Sequence, residues 1–298
     1  MTLNSDASTL VKSNNKRLRA IWLLVITALL WSLGGMLIKS VNAHPLAIAG
    51  VRSAIAAGVF LLVLGKPKLT WSRPQIGGAL AYAGTVTLFV AATKETTAAN
   101  AIFLQYTAPI YAALLGTWLL KERTRLWDWV SVLVVIGGMA LFFVDNLSTT
   151  GVLGNVLAVL SGISFAFQAV FMRMQKDGSP WESVLLGNIL TAVIGLPFLA
   201  LSWPNASGWL FLLILGTVQL GLPYMLYAQA IKHTTALEAI LIPVIEPILN
   251  PLWVFLLLGE KPGPWSFVGG FIVLAAITLR CVLAELSGRS PGKRFSVT

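Results

Sequence analysis

The feature that most constrains this chain is a series of ten apolar stretches, each close to 20 residues long, separated by short loops. A helix of about 20 apolar residues crosses the roughly 30 Å of hydrocarbon in a bilayer. Of the 298 residues 57% are hydrophobic and 11% charged, too few charges to cover a soluble domain. The sequence therefore predicts an all-α integral membrane protein with ten transmembrane helices. The predicted spans are Ala20–Val41, Pro45–Leu64, Gln75–Thr93, Thr97–Leu120, Leu126–Val144, Gly151–Met172, Pro180–Leu201, Gly208–Ile231, Thr235–Leu258 and Gly263–Leu283.

Composition excludes several other classes of protein. The net charge is +10, but no basic stretch is interleaved with aromatic residues on a polar domain, so nucleic acid is not an expected partner. The single cysteine, Cys281, provides neither a disulfide framework nor a CxxC metal site. The two histidines, His44 and His233, fall in loops on opposite faces. We therefore expect no enzymatic activity, no cofactor and no metal ion.

The lysines and arginines of the predicted loops lie mainly on one side of the membrane. Only Lys39, Lys94 and Lys261 fall on the other side. By the positive-inside rule both termini of this multi-pass protein are cytoplasmic and the loop near Asp145 is outside. The basic side carries Lys12, Lys16, Arg17, Arg19, Lys66, Lys68, Arg73, Lys121, Arg123, Arg125, Arg173, Lys176, Lys232, Arg280, Arg289, Lys293 and Arg294.

The second half of the chain repeats the first. A shift of 134 positions aligns Lys39 with Arg173, and an ungapped shift of 138 positions aligns Pro, Glu and Trp residues as well as apolar ones. Because each half has five helices, an odd number, the second copy is inverted, which is typical of alternating-access transporters. The pairs at the shift of 138 are Thr96–Ala98 with Thr234–Ala236, Ala101-Ile102 with Ala239-Ile240, Pro109-Ile110 with Pro247-Ile248, Leu119–Glu122 with Leu257–Glu260, and Trp127 with Trp265.

The repeat divides the chain into four parts. The two five-helix repeats occupy residues 19–144 and 151–285. Residues 1–18, whose first 16 are rich in Ser, Thr and Asn, are predicted to be a disordered cytoplasmic tail. Residues 286–298 form a second cytoplasmic tail. The loops are too short for a soluble domain or a site for ATP, so transport would be driven by a gradient.

Ten spans in two inverted halves resemble the drug/metabolite transporter superfamily, and specifically its EamA-type exporters. The resemblance covers nearly the whole chain after residue 18. The sequence departs from the family pattern in the first half, where Lys121 replaces the glycine expected before Glu122. Within the superfamily the chain is most similar to bacterial exporters of aromatic amino acids, which implies a small-molecule substrate of that class and a location in the bacterial inner membrane. The matching motifs are Pro109…Glu122, Pro247…Gly259-Glu260, Trp31-Ser-Leu-Gly34 and Arg52.

Three prolines predict helix breaks at mid-membrane. Pro109 lies in the middle of the fourth predicted span, and Pro243 and Pro247 lie in the ninth. Each removes an N–H group and frees a carbonyl, which a membrane tolerates only where the break faces protein or a wet cavity. The alternative is that the prolines kink the helices for packing alone. Because Pro109 and Pro247 are related by the repeat, we favour breaks that line a cavity.

Two ionisable residues lie well inside predicted spans. Glu246 lies near the bilayer midplane, where a carboxyl group must be protonated, paired or hydrated. It suits the exchange of a proton for a substrate that carries an ammonium group, with a structural role as the alternative. Arg52 lies about two turns from the outer end of its helix. It either binds a substrate carboxylate or has a structural role, and the resemblance favours structure.

Two other glutamates are left out of the predicted site. The pattern Thr235-x-x-Glu238 predicts a capping box at a helix start. Glu122 follows the fourth span and is expected to form an ion pair with its neighbour Arg123.

Polar and aromatic side chains in the span interiors predict a substrate cavity, since their polar ends need partners away from lipid. Such a cavity suits an amphipathic or aromatic solute, and we expect an exporter of amino acids, aromatic ones above all, with the proton as candidate coupling ion. The alternative is a multidrug or cationic-solute exporter. The candidate substrate-binding residues are Trp31, Tyr82, Gln105, Tyr106, Gln168, Tyr224, Glu246 and Asn250.

Overall fold

The computed structural model describes residues 2–122, 124–144, 151–249 and 264–286. Every regular element within these ranges is helical. The elements are α1 (Thr2–Trp31), α2 (Gly34–Ser40), α3 (Pro45–Leu64), α4 (Arg73–Glu95), α5 (Ala98–Gln105), α6 (Ala108–Leu119), α7 (Leu126–Phe143), α8 (Val152–Met174), α9 (Trp181–Gly195) with a 3₁₀ segment (Leu196–Ala200), α10 (Ala206–Ile214), a π-helical segment (Leu215–Gly221), α11 (Leu222–Ala230), α12 (Ala236–Leu241) with a 3₁₀ segment (Ile242–Ile245), and α13 (Pro264–Leu286).

The described residues contain eight helical segments that are long and apolar enough to cross a membrane, and one shorter apolar helix, Leu126–Phe142. These nine correspond to nine of the ten predicted spans. The remaining predicted span, 235–258, is described only as far as residue 249, and its candidate site residue Asn250 lies outside the described residues. The all-helical membrane fold is therefore confirmed, while the number of ten helices remains a prediction.

The first helix is longer than the sequence predicts. Helix α1 begins at Thr2, so residues 2–18, for which the composition predicts disorder, continue the first span as helix. The physical reason is that extending an existing helix adds one hydrogen bond per residue, whereas starting one is costly. The apolar part of α1 provides the nucleus, and Ala, Leu and Lys in the tail are good helix formers.

Side-chain caps fix the starts of several helices. Ser72, Thr97 and Asn205 each accept a hydrogen bond from a backbone N–H in the first turn of α4, α5 and α10. The predicted capping box is confirmed: Thr235 accepts from the N–H of Glu238, whose carboxylate accepts from the N–H of Thr235. Such caps satisfy N–H groups that have no partner within the helix.

Corresponding helices of the two halves pack against each other. Helices α3 and α9, from the second and seventh spans, form one pair, and α7 and α13, from the fifth and tenth, form another. Helix α4 packs along α8, and α1 packs along α11. The repeat pairs the third span (α4) with the eighth (α11) and the first (α1) with the sixth (α8). The two contacts are therefore equivalent by symmetry. This is the packing expected of inverted repeats related by a twofold axis in the membrane plane.

The backbones of α3 and α9 meet at Gly50 and Gly195. A Cβ atom placed on Gly50 would lie 2.6 Å from the carbonyl carbon of Gly195 and 2.6 Å from the backbone nitrogen of Leu196. Backbone atoms cannot turn aside as a flexible side chain can. The crossing therefore depends on small residues, as helix contacts in membranes generally do.

We expect Gly50→Ala to lower the midpoint of thermal unfolding in detergent, since overpacking of this kind costs about 1–3 kcal/mol. Gly58, on the same helix, is the matched control, because a Cβ placed there meets nothing within 4 Å. Gly58→Ala should leave the midpoint unchanged or raise it, since alanine favours a helix by about 0.5–1 kcal/mol. Equal midpoints for the two variants would contradict the close crossing.

A cluster of buried charges, which we call the basal ion cluster, joins helices of both halves at the end predicted to be cytoplasmic. Arg17 donates to Glu238 at 2.9 Å. Arg280 lies 3.2 Å from Asp128 and 3.5 Å from Glu238. All four residues are less than 10% exposed. The cluster ties α1 and α7 of the first half to α12 and α13 of the second.

A second ion pair lies at the same end. Arg173 donates to Glu122 at 3.0 Å and to the carbonyls of Ile231 and Lys232 at 3.0 and 2.8 Å. The other oxygen of Glu122 accepts from the N–H of Ala236 at 3.1 Å. Arg173 is therefore a partner that the sequence does not predict for Glu122. Folding brings the end of α8 to the end of α6, 51 residues away, which local sequence cannot reveal.

The topology remains a prediction that cysteine labelling can test. On a Cys281→Ala background, Ser40→Cys should react with a membrane-impermeant maleimide in intact cells. Lys66→Cys is the matched control: Ser40 precedes α3 and Lys66 follows it, so Lys66→Cys should react only after permeabilisation. Both native side chains are exposed. Labelling of Lys66→Cys in intact cells would contradict the cytoplasmic placement of the termini.

Candidate functional site

A cavity of about 40 Å³ lies where the breaks in the helices meet. Since one water requires roughly 10–15 Å³, it has room for about three waters. Both halves contribute to its wall. The lining residues are Trp31, Arg52, Thr85, Val86, Phe89, Gln105, Tyr106, Phe165, Gln219, Leu220, Tyr224 and Glu246.

Interrupted helices position the side chains of this cavity. Helix α1 ends at Trp31 and α2 starts at Gly34, so the first span breaks beside the indole ring. In the fourth span α5 ends at Gln105 and α6 starts at Ala108, with Pro109 in its first turn. The ninth span changes from α-helix to 3₁₀ helix at Ile242–Ile245, which includes Pro243. Each break exposes backbone or side-chain polar groups to the cavity instead of to lipid.

Aromatic rings form one side of the cavity. The ring centroids of Trp31 and Tyr224 are 4.9 Å apart, and those of Trp31 and Phe165 are 5.8 Å apart in an edge-to-face arrangement. Tyr227 continues the cluster at 5.5 Å from Trp31. These separations lie in the range that favours aromatic pairs.

Glu246 lies in the cavity wall at the break in the ninth span and is 8% exposed. The Tyr106 hydroxyl lies 2.5 Å from its Oε2 atom and 3.0 Å from the carbonyl oxygen of Pro243. That carbonyl has lost its usual helical partner, because the residue four positions later is Pro247. A single phenolic hydrogen therefore faces two acceptors, and a protonated Glu246 would supply the second hydrogen.

Arg52 also lines the cavity, and its side chain is 1% exposed. Its guanidinium donates to Gln219 Oε1 at 3.2 Å and to the carbonyl of Val86 at 3.1 Å. The guanidinium therefore does not reach the lipid headgroups, a structural role that a long arginine side chain can have in a membrane protein. Gln219 is a polar residue in the interior of an apolar span, which marks it as a candidate for the cavity, but it is not among the eight predicted substrate-binding residues.

Five of the eight predicted substrate-binding residues line this cavity: Trp31, Gln105, Tyr106, Tyr224 and Glu246. Gln105 donates to Ser161 Oγ at 2.8 Å.

Tyr82 and Gln168 are buried but are not among the residues that line the cavity. The Tyr82 hydroxyl donates to Asn188 at 3.0 Å, and its ring meets that of Tyr224 edge to face at 4.7 Å. The Gln168 amide lies 3.7 Å from the sulfur of Met172. Tyr82 therefore supports the wall from behind, through the ring of Tyr224.

The described residues contain no group of three or more His, Cys, Asp and Glu side chains that could hold a metal ion. A larger cavity of about 150 Å³ lies between α7 and α13, beside Asp128 and Arg280 of the basal ion cluster. It is remote from the helix breaks.

Long apolar helices in two interlocked halves, with a polar cavity at helix breaks, define a membrane transporter. The chain belongs to the EamA-like transporter family, whose model matches residues 18–144 and again residues 152–280. The family consists of transporters and not of enzymes.

Several similar proteins carry transporter names. The chain is 25% identical over 264 residues to an uncharacterized transporter of Archaeoglobus fulgidus, covering 86% of this chain and 94% of that one. It is 25% identical to the uncharacterized transporter YwfM of Bacillus subtilis, covering 89% and 97%. Solute carrier family 35 member G1 of Mus musculus is 22% identical, covering 89% and 78%. A solved crystal structure shares the fold with a TM-score of 0.77, 19% identity and coverage of 91% and 99%.

Proposed function

We propose that this transporter exports amino acids, aromatic ones above all, across the bacterial inner membrane by alternating access. The observation that carries the proposal is the cavity between the halves, with an aromatic wall of Trp31, Phe165 and Tyr224 and a carboxyl group, Glu246. An aromatic wall binds an apolar ring, and a carboxylate binds an ammonium group. An aromatic amino acid carries both.

The small number of charged side chains argues against strongly anionic substrates. Among the described lining residues only Arg52 carries a fixed positive charge. A nucleotide or sugar phosphate would require several cationic groups. At about 40 Å³ the cavity must widen to admit any amino acid. The breaks at Trp31 and Tyr106 are the places where the helices can bend to widen it.

We further propose that Glu246 exchanges protons with the two sides of the membrane. The Tyr106 hydroxyl contacts both the Glu246 carboxyl group and the Pro243 carbonyl, and a protonated acid would supply the second hydrogen that these two acceptors need. Loss of the proton leaves a carboxylate that attracts a substrate ammonium group. Proton uptake from outside would then release the substrate during export.

Counterflow in proteoliposomes tests the proposal. Vesicles that contain the purified protein and excess unlabelled phenylalanine, tyrosine or tryptophan should accumulate the labelled amino acid, whereas protein-free vesicles should not. A Tyr224→Leu variant should show a weaker apparent affinity for these substrates, because it removes part of the aromatic wall. Absence of counterflow with every amino acid tested would refute the proposed function.

One observation favours a second candidate function, export of cationic drugs. Glu246 is a buried carboxyl group in an aromatic cavity, which is also a suitable site for an organic cation. Counterflow of a lipophilic cation such as tetraphenylphosphonium, without counterflow of amino acids, would establish this alternative.

A further inference from the structure

We propose that Arg52 and the indole N–H of Trp31 bind the α-carboxylate of the substrate, and that Gln219 holds the guanidinium until the carboxylate arrives. This inference rests on the proposed function, because it names the chemical group by which the same cavity recognises an amino acid. The substrate class is thereby narrowed to zwitterions with a free carboxylate.

The environment of Arg52 favours an anionic ligand. Its side chain is almost completely buried, and the acceptors that it contacts, Gln219 Oε1 and the Val86 carbonyl, are neutral oxygen atoms. Within the described part of the chain it forms no ion pair with a carboxylate. A guanidinium group has five N–H donors and is costly to bury without a negative charge. The cavity is therefore prepared for an anionic group.

Two buried hydrogen-bond donors at the cavity are unsatisfied. Arg52 Nε and Trp31 Nε1 are both buried, and neither has an acceptor among the described residues. Both residues line the same cavity. An unsatisfied buried donor is rare in a native structure and needs an explanation. A carboxylate has two oxygen atoms and can accept hydrogen bonds from both donors.

The helices position Gln219 between Arg52 and Trp31. The residue lies in the π-helical segment Leu215–Gly221, and such segments are frequent at functional sites. Its Oε1 accepts from Arg52, and its Nε2 lies 3.5 Å from the carbonyl oxygen of Trp31. Gly34 leaves room for this amide, because a Cβ there would lie 2.6 Å from Nε2. Gln219 thus connects the two residues of the carboxylate subsite.

The opposite charge lies in the same cavity. Glu246 and Arg52 both line it, yet the described structure shows no ion pair between them. A zwitterion complements this arrangement, with its carboxylate at Arg52 and its ammonium group at Glu246. A simple organic cation would leave Arg52 uncompensated and would be repelled by it.

The test compares phenylalanine with its methyl ester and with phenethylamine, which lack the carboxylate. In counterflow with wild-type protein, phenylalanine should be at least 10-fold preferred over both. Arg52→Gln should weaken its apparent affinity about 30-fold or more, the scale for truncating a buried charge pair. The same variant should transport the ester no worse than wild-type protein does.

A second variant keeps the test decisive if Arg52→Gln does not fold. Trp31→Phe keeps an aromatic ring but removes the indole N–H, so it should weaken binding of phenylalanine several-fold more than it weakens binding of the ester. Trp209→Phe, a tryptophan that packs against Trp203 away from the cavity, is the matched control. Thermal midpoints in detergent verify that each variant is folded.

Three outcomes would overturn the inference. If wild-type protein transports phenylalanine and its ester equally well, the carboxylate is not recognised, although the proposed function stands. If folded Arg52→Gln and Trp31→Phe both retain wild-type affinity for phenylalanine, these donors are not its site. If no amino acid is transported at all, the proposed function fails together with the inference.

Discussion

Replacing Glu246 with glutamine is expected to abolish the response of substrate efflux to a pH gradient. In wild-type proteoliposomes an inward proton gradient should accelerate efflux, because the carboxyl group takes up a proton from the outer side and releases it inside. Glutamine keeps the size and the hydrogen bond with Tyr106, but it cannot titrate. Efflux of labelled substrate, measured with and without the gradient, should show a rate ratio of about one in this variant.

Glu182→Gln is the matched control for this experiment. Glu182 is also a buried glutamate, 4% exposed, but its Oε1 accepts from the backbone of Lys68 at one end of α9, outside the cavity. This variant should keep the wild-type response to the gradient. A wild-type pH response in Glu246→Gln would remove the carboxyl group from the mechanism and leave a carrier driven by the substrate gradient alone.

Glu238→Gln is expected to cause the largest loss of stability among single substitutions that conserve volume. The carboxylate of Glu238 contacts both Arg17 and Arg280 inside the basal ion cluster. Breaking a buried ion pair from one side costs about 3–5 kcal/mol, because the remaining charge stays buried without compensation. Thermal unfolding in detergent should show a correspondingly lower midpoint.

The contribution of the capping box must be separated from that of the ion cluster. Glutamine at position 238 can still cap the start of α12, whereas Thr235→Ala removes the cap and leaves the charges in place. Loss of such a cap costs about 1 kcal/mol. Glu238→Gln should therefore destabilise the protein more than Thr235→Ala does. If the order is reversed, helix capping and not charge pairing is the main role of Glu238.

Much of the fold could be predicted from the sequence, because the bilayer imposes strong rules on a chain. Apolar runs such as Pro45–Leu64 form helices with the predicted bounds. The reason is that a segment that spans the bilayer must satisfy its backbone hydrogen bonds internally. The extension of α1 to Thr2 could not be predicted from composition, which favours disorder. The ion pair of Glu122 with Arg173 could not be predicted either, because the two residues are 51 positions apart and only folding brings them together.

The candidate site was only partly predictable. Mid-membrane prolines and polar aromatic residues identify which spans contribute, and Trp31 and Tyr106 do line the cavity. Sequence cannot show which way a side chain points around a broken helix. Tyr82 therefore lies behind the wall instead of in it, and Arg52, interpreted as structural, lines the cavity. The position of Gln219 in the cavity wall depends on a π-helical segment, which no simple sequence pattern predicts.

The hydrogen bond between Arg52 and Gln219 has a consequence for how the protein enters the membrane during synthesis. The two residues are 167 positions apart, and they belong to different halves. A ribosome releases α3 long before it makes the π-helical segment, so the nascent first half must hold an arginine in the bilayer without its later partner. Insertion scales assign about 2.5–3.5 kcal/mol to an arginine at the centre of a helix. The first half should therefore remain incompletely assembled, and open to quality-control proteases, until the eighth span has been inserted.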